Sequence, residues 1–266
     1  MTQPATTTVR RLATVSYLNA KPLTWGLEST PGVQLVGDVP AKLIDRLADG
    51  RAEVALLPTI DYQRLEGLRI IPAGGIGCDG ETLTVRLFSH KPLSATELLV
   101  CDPDSHTSVA LARIVLAKQY NVRPRVVSLA EGQGLPGETR LLIGDKVVCE
   151  EPLGFQHQID LGLAWKELTG LPFVFAVWTA TESADVTGLH DMLQASKEQG
   201  LTHVDAIVSK YAVPRGWPAG IAWQYLTGYL KYDIGPRQLE AIRLFHQLAG
   251  EHALLNNPVR PLSLAE

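Results

Sequence analysis

The sequence predicts an α/β protein with mostly parallel strands, built as two compact units with a helical tail. Three observations carry that prediction. Short apolar segments rich in β-formers alternate with helical periods through the first two-thirds of the chain, the pattern of strand–helix–strand units. The last third reads as helices. The length, 266 residues, exceeds what one small core organises and suits two.

In order, LATVSYL (12–18) reads as a strand, and Pro22 behind it suits the first turn of a helix, where its missing N–H costs nothing. AKLIDRLADG (41–50) puts Leu43, Ile44, Leu47 and Ala48 on one helical face, with Gly50 to close it. EVALLP (53–58) is a buried strand stopped by Pro58, and LRIIPA (68–73) is a short one. The glycine-rich front of GGIGCDGETLTVRLFSH (74–90) reads as a turn, and TLTVRLFS (82–89) as a strand. ELLVCD (97–102), RVVSL (125–129) and RLLIGD (140–145) are further strands. HTSVALARIVLAKQY (106–120) is a long helix, and IDLGLAWKELTG (159–170) is a helix that Asp160 caps and Gly170 closes. The continuous apolar run LPFVFAVWT (171–179) is a fully buried strand. Helices follow at 188–200, 218–232 and 235–250. With no linker visible, the chain is expected to cross between the units on TVRLFS (84–89) and FVFAVW (173–178).

Composition excludes several classes. A net charge of −4 gives no basic face for nucleic acid. No apolar run reaches the ~18 residues of a membrane helix. The start, MTQPATTTVRR, leads into a short apolar stretch broken by Ser16 and Asn19, which does not read as a signal peptide and predicts a cytoplasmic protein. Cys78, Cys101 and Cys149 are far apart and odd in number, which predicts reduced, partly buried thiols and no zinc site. Gly75 to Gly80 match GxGxxG, but a strand follows where a dinucleotide site needs a helix. Asp102 and Asp104 beside Pro103 read as turn chemistry ahead of metal ligation. No HExxH or GxSxG is present, and His157 near Asp160 reads as a surface residue beside a helix cap. Oligomeric state is left open.

What remains is a set of strand ends. VSYLN, VALLPT and LLIGD each finish an apolar strand on polar or glycine residues: Asn19, Thr59, and Gly144 with Asp145. Ligands of open α/β sheets bind beyond the carboxyl ends of the strands. A fourth strand, LLVCD, leads into DSHTSVAL, where Thr107 and Ser108 start a helix. Free N–H groups, the helix dipole and two hydroxyls suit a carboxylate or phosphate; the plainer reading is N-capping by Ser105 or Thr107. Such a cleft offers amides, hydroxyls and one acid, which suits binding, or a reaction whose substrate supplies its own base.

The segments SYLNAKPLTWGLE, ALLPTIDY, DSHTSVALARIVL, LLIGDKVV and DLGLAWKELTGLPFVFAVW occur in this order. Together they resemble the chorismate dehydratases of the futalosine route to menaquinone, over about residues 10 to 250. The resemblance implies a type II periplasmic-binding-protein-like fold: two α/β lobes, 1–86 with 177–266 and 87–176, with the ligand cleft between them. It implies loss of water from chorismate to give 3-[(1-carboxyvinyl)oxy]benzoate, driven by aromatisation, without metal or organic cofactor. Carried over, Asn19 is the catalytic residue, donating to the departing hydroxyl or holding the enolpyruvyl arm. Thr107 and Ser108 hold a carboxylate. Gly144 and Asp145 match the family's Gly-Asp, while Thr59 and Thr84 stand where it has Ser. His106 replaces an expected Arg or other long polar residue, and CDGETLT departs from a Ser-rich approach. Two alternatives share the fold: a non-catalytic small-anion binding protein, and 1,4-dihydroxy-6-naphthoate synthase, which calls for a catalytic histidine in the cleft.

Overall fold

The computed structural model describes residues 9–102, 105–132, 138–149 and 154–265; the expected turn residue Asp104 and the first eight residues lie outside them. Within them the strands are β1 (Arg10–Val15), β2 (Val33–Asp38), β3 (Val54–Pro58), β4 (Leu68–Cys78), β5 (Val85–Ser89), β6 (Leu98–Cys101), β7 (Arg125–Ser128), β8 (Glu138–Ile143), β9 (His157–Asp160), β10 (Phe173–Thr181) and β11 (Leu230–Lys231). The helices are α1 (Pro40–Ala48), α2 (His106–Tyr120), α3 (Leu129–Gly132), α4 (Asp145–Val148), α5 (Leu161–Thr169), α6 (Leu189–Thr202), α7 (Val204–Ile207), α8 (Ala219–Gln224) and α9 (Pro236–Glu251).

The strands form two sheets, ordered β11–β4–β10–β3–β1–β2 and β7–β6–β8–β5–β9. Strands β1, β2 and β3 run parallel, as do β6, β7 and β8. Every antiparallel pair contains β5, β10 or β11. Strands β5 and β10 are where the chain arrives from the other sheet. It enters at the carboxyl ends of the parallel strands, so it must run against them. All of β5 pairs in the second sheet and all of β10 in the first, so the chain passes between sheets in the connections 79–84 and 170–172.

Three local expectations change. The glycine-rich stretch from Gly74 is not a turn, because β4 continues through it to Cys78. It can do so because a Cβ at Gly75 or Gly77 would stand 2.6 Å from the carbonyl oxygens of Ala176 or Phe173 on β10; glycine permits this close pairing. Pro22 opens only a single 3₁₀ turn, Pro22–Thr24. The expected helix at 218–232 ends at Gln224 and widens into a π turn, Tyr225–Tyr229. It cannot continue, because Leu230 and Lys231 pair with Cys78 and Gly77. Strands β2 and β9 and helix α7 were not expected; each is short or weakly patterned.

Elsewhere local chemistry sets the boundaries as expected. Asp160 caps α5 by accepting from the N–H groups of Gly162 and Leu163, and Gly170 closes it with φ of 72°. Gly50 follows α1 with φ of 71°, a left-handed residue behind a helix end.

Each sheet has its own core. The first gathers Leu12, Leu56, Trp178 and Leu193; the second gathers Leu99, Leu111, Trp165 and Phe173. Helix α9 serves both, with Ile242 in the first and Phe245, Leu248 and Ala249 in the second. Cys78 and Cys101 are free and buried, and burial pushes both thiols up to about 12. Among the described residues no helix is long and apolar enough to cross a membrane.

Candidate active site

Between the sheets lies a cavity of about 610 Å³, counting its open mouth. From the first unit come Tyr17 and Asn19 beyond β1, Pro58 at the end of β3, Phe175 and Ala176 on β10, and Tyr225. From the second come Thr82, Thr84 and Val85 around the start of β5, Ile143 and Gly144 at the end of β8, and Ser105, Thr107 and Ser108 at the start of α2.

The α2 wall has a defined hydrogen-bond polarity. Ser105 caps the helix: its Oγ accepts from the Ser108 N–H at 3.4 Å and its hydroxyl donates to Ser108 Oγ at 2.7 Å. Thr107 Oγ1 accepts from the Ile60 N–H at 3.3 Å. Both Thr107 and Ser108 thus have an acceptor function already used, leaving their protons to donate outward. A hydroxyl held as a donor at a helix N-terminus favours an anion. Capping and anion binding are not alternatives here, because Ser105 does the first and frees Thr107 and Ser108 for the second.

The facing wall is assembled from distant segments. Thr84 Oγ1 donates to the Tyr225 hydroxyl at 2.9 Å. Burial pushes the Tyr225 phenol up, while the hydrogen bonds from Thr84 and from the Asn19 side chain oppose that shift. Asn19 sits in a 3₁₀ turn, Leu18–Ala20, and its buried Oδ1 has no partner among the described residues. Thr82 and Thr84 both reach the cavity because Leu83 between them adopts φ of 67°, a left-handed conformation costly for leucine. Asp160 holds it: its Oδ1 accepts from the Thr82 N–H at 3.0 Å and its Oδ2 from the Leu83 N–H at 2.8 Å. Burial raises this carboxyl above its usual range against those bonds.

Of the residues singled out from the sequence, Asn19, Thr84, Thr107, Ser108 and Gly144 come together on the cavity. Gly144, at φ 61° and ψ −134°, turns the chain from β8 into α4 in a geometry open to glycine alone. Thr59 and Asp145 are placed differently and do not line it. Thr59 is buried and donates to the Val174 carbonyl at 2.7 Å, a bond that ties β3 to β10. Asp145 Oδ1 accepts from Trp217 Nε1 at 2.7 Å. His106 turns away, its Nδ1 2.9 Å from both carboxylate oxygens of buried Asp61, which Arg64 also pairs. Sequence reasoning named Ser105 as one of two capping candidates, and it missed Tyr225. The cap was signalled by Ser105 three residues before Ser108; nothing near residue 225 signals a contact with residue 19.

No described residue lining the cavity carries a formal charge or an imidazole, and no group of metal-ligating side chains occurs among the described residues. The cavity can bind an anion through neutral donors and orient it between two walls; its described residues offer no side-chain base of ordinary strength.

Comparison with solved structures fixes the class. A protein of Archaeoglobus fulgidus superposes with a TM-score of 0.76 at 15% identity, over 94% of this chain and 100% of that one. The periplasmic aliphatic sulphonate binding protein SsuA of Escherichia coli superposes with a TM-score of 0.65 at 12% identity, over 97% and 94%. The fold is therefore the two-lobed, periplasmic-binding-protein-like one, with the cavity in its cleft. Within that class the chain belongs to the menaquinone biosynthesis family, whose model matches residues 10–251. A chorismate dehydratase of Thermus thermophilus is 26% identical over 254 residues, 88% of this chain and 93% of that protein.

Proposed function

We propose that this chain is a chorismate dehydratase, a hydro-lyase that converts chorismate to 3-[(1-carboxyvinyl)oxy]benzoate and water. The observation that carries this reading is the cavity whose described lining is uncharged, in which Thr107 and Ser108 are held as donors on one wall while Asn19, whose Oδ1 has no partner among the described residues, faces it on the other. Family membership and the Thermus thermophilus relative support it.

Chorismate carries two carboxylates. In the proposed geometry one sits on the Thr107 and Ser108 hydroxyls at the positive end of α2. Asn19 takes the ring hydroxyl: Oδ1 accepts a hydrogen bond from its O–H, which stays on the oxygen, and an amide N–H donates to that oxygen as the C–O bond breaks. The ring C–H proton passes to the substrate's own enolpyruvyl carboxylate, since the described residues of the cavity wall offer no base. Proton and hydroxide leave as water, and the ring becomes aromatic. The protein contributes positioning and preorganised dipoles, and closure of the lobes keeps bulk water out. The two sheets support a division into two such discontinuous lobes, with the boundaries moved from 86 and 177 to the connections 79–84 and 170–172, and with α9 packed on both. A cytoplasmic location is part of the same proposal.

The test is to mix purified protein with chorismate, without added cofactor, and follow chorismate absorbance and the aromatic product by mass spectrometry. Consumption with formation of the benzoate is expected. Tight binding without consumption would instead indicate a receptor, and absence of any interaction would favour the naphthoate synthase.

A further inference from the structure

The stretch between α7 and α8 belongs to the first core, where Val208, Ala212 and Trp217 are buried. It also reaches across to the second unit. Trp217 Nε1 donates to Asp145 Oδ1 on α4 at 2.7 Å. The Cys149 thiol, at the cap of α4, donates to the Arg215 carbonyl at 3.5 Å. An indole N–H can only donate, so a buried one needs an acceptor, and a carboxylate makes that bond a strong one.

Contacts continue inward from there. The Trp217 ring stacks on Tyr225, with centroids 5.2 Å apart and planes 28° from parallel. Tyr225 lines the cavity together with Asn19, and its hydroxyl accepts from Thr84 at 2.9 Å; the Asn19 side chain is among the groups that hold its phenol down against burial. Neither Asp145 nor Trp217 lines the cavity; the side-chain contact that joins Trp217 to it is Tyr225. Tyr225 itself begins the π turn, a local departure from α geometry of the kind found at functional positions.

We propose that Asp145 and Trp217 are positioning residues for Asn19: the carboxylate of the second unit grips the indole, the indole seats Tyr225, and Tyr225 sets the Asn19 amide, so that the amide is set only when the two units are closed. The inference rests on Asn19 being the side chain that acts in the proposed dehydration, and it explains why an acid expected at the substrate instead faces a tryptophan.

The experiment has two readouts. Chorismate turnover is measured for Trp217→Phe, Asp145→Ala and Asp145→Asn, with Trp217→Phe repeated in an Asn19→Ala background. The Asn19 side-chain amide resonances are recorded in ¹⁵N-labelled protein without substrate. Trp217→Phe and Asp145→Ala are each expected to lower kcat about ten- to hundredfold while KM moves less than about threefold. The two together should lose no more than either alone, since they break one line of contacts. Asp145→Asn keeps an acceptor for the indole and should keep most of the rate. Trp217→Phe should add no loss to Asn19→Ala, and both disruptive single variants should move the Asn19 resonances. An additive loss in the Asn19→Ala background, or resonances that stay in place in both variants, would overturn the proposal. If wild-type protein does not consume chorismate, the dehydratase reading fails by itself, and the resonances alone judge the relay.

Discussion

On the α2 wall of the cavity, Ser105, Thr107 and Ser108 fall within one turn of chain. On the opposite wall the polar side chains come from residues 17, 19, 82, 84 and 225. The first wall follows from how a helix begins, and its donors are fixed by neighbours within three residues plus one N–H from Ile60. The second exists only if three remote segments arrive together. A substrate held by both is gripped by a locally built anion site and worked on by a globally built one. The first should therefore govern affinity and the second rate.

The largest effect tests the second wall. Asn19→Asp keeps size but turns an amide donor into a charge facing a dianion; turnover should fall about 10³-fold with an unchanged circular dichroism spectrum. Near-normal turnover would remove Asn19 from the chemistry.

Next comes the support behind both walls. His246 is 1% exposed; one ring nitrogen meets the Thr59 carbonyl at 2.8 Å and the other meets Gln63 at 2.9 Å. Thr59 adjoins Ile60, whose N–H holds Thr107. Burial pushes the imidazole down to about 4, against the Thr59 bond. A histidine lowered in the folded state binds its proton more readily when unfolded, so its contribution is complete above the unfolded value near 6.5 and is lost as pH falls towards 4. The loss should reach about 3 kcal/mol across that window, read as a falling urea midpoint. In His246→Gln this part of the pH dependence should disappear.

Ser108→Ala should sharpen the contrast between the walls. It should raise KM about tenfold, the worth of one hydrogen bond to a charged group, and leave kcat little changed. A fall in kcat at constant KM would mean that the walls do not divide affinity from rate. The smallest effect is expected at His106. His106→Gln keeps a donor to Asp61 and should alter kcat/KM by less than about twofold. Abolished turnover would return a histidine to the mechanism, as the naphthoate synthase alternative requires.

How much of this was legible follows from the range of each interaction. Helix α2 begins and ends where its pattern says, because a capping serine and an apolar period are local signals. The same holds for α5, capped by Asp160 and closed by Gly170. The bond from the second carboxylate oxygen of Asp160 to Leu83, 77 residues away, was not legible. Glycines at 75 and 77 read as a turn because their reason is a neighbour on β10, and Gly74 because its reason is the Leu23 side chain. Thr59 and Asp145 stand at strand ends in the sequence, yet a strand end has two sides. Which side a side chain takes depends on Val174 and Trp217, which lie 115 and 72 residues further along.

By itself the sequence determined the α/β alternation and the helix start that brings Ser105, Thr107 and Ser108 together, since each depends on spacing over a few residues. Only the tertiary structure decided that Tyr225 meets Asn19, that Asp145 serves Trp217, and that His106 turns away to Asp61. Those outcomes depend on which surfaces remain to be buried once two sheets have closed on each other, and no local pattern encodes that.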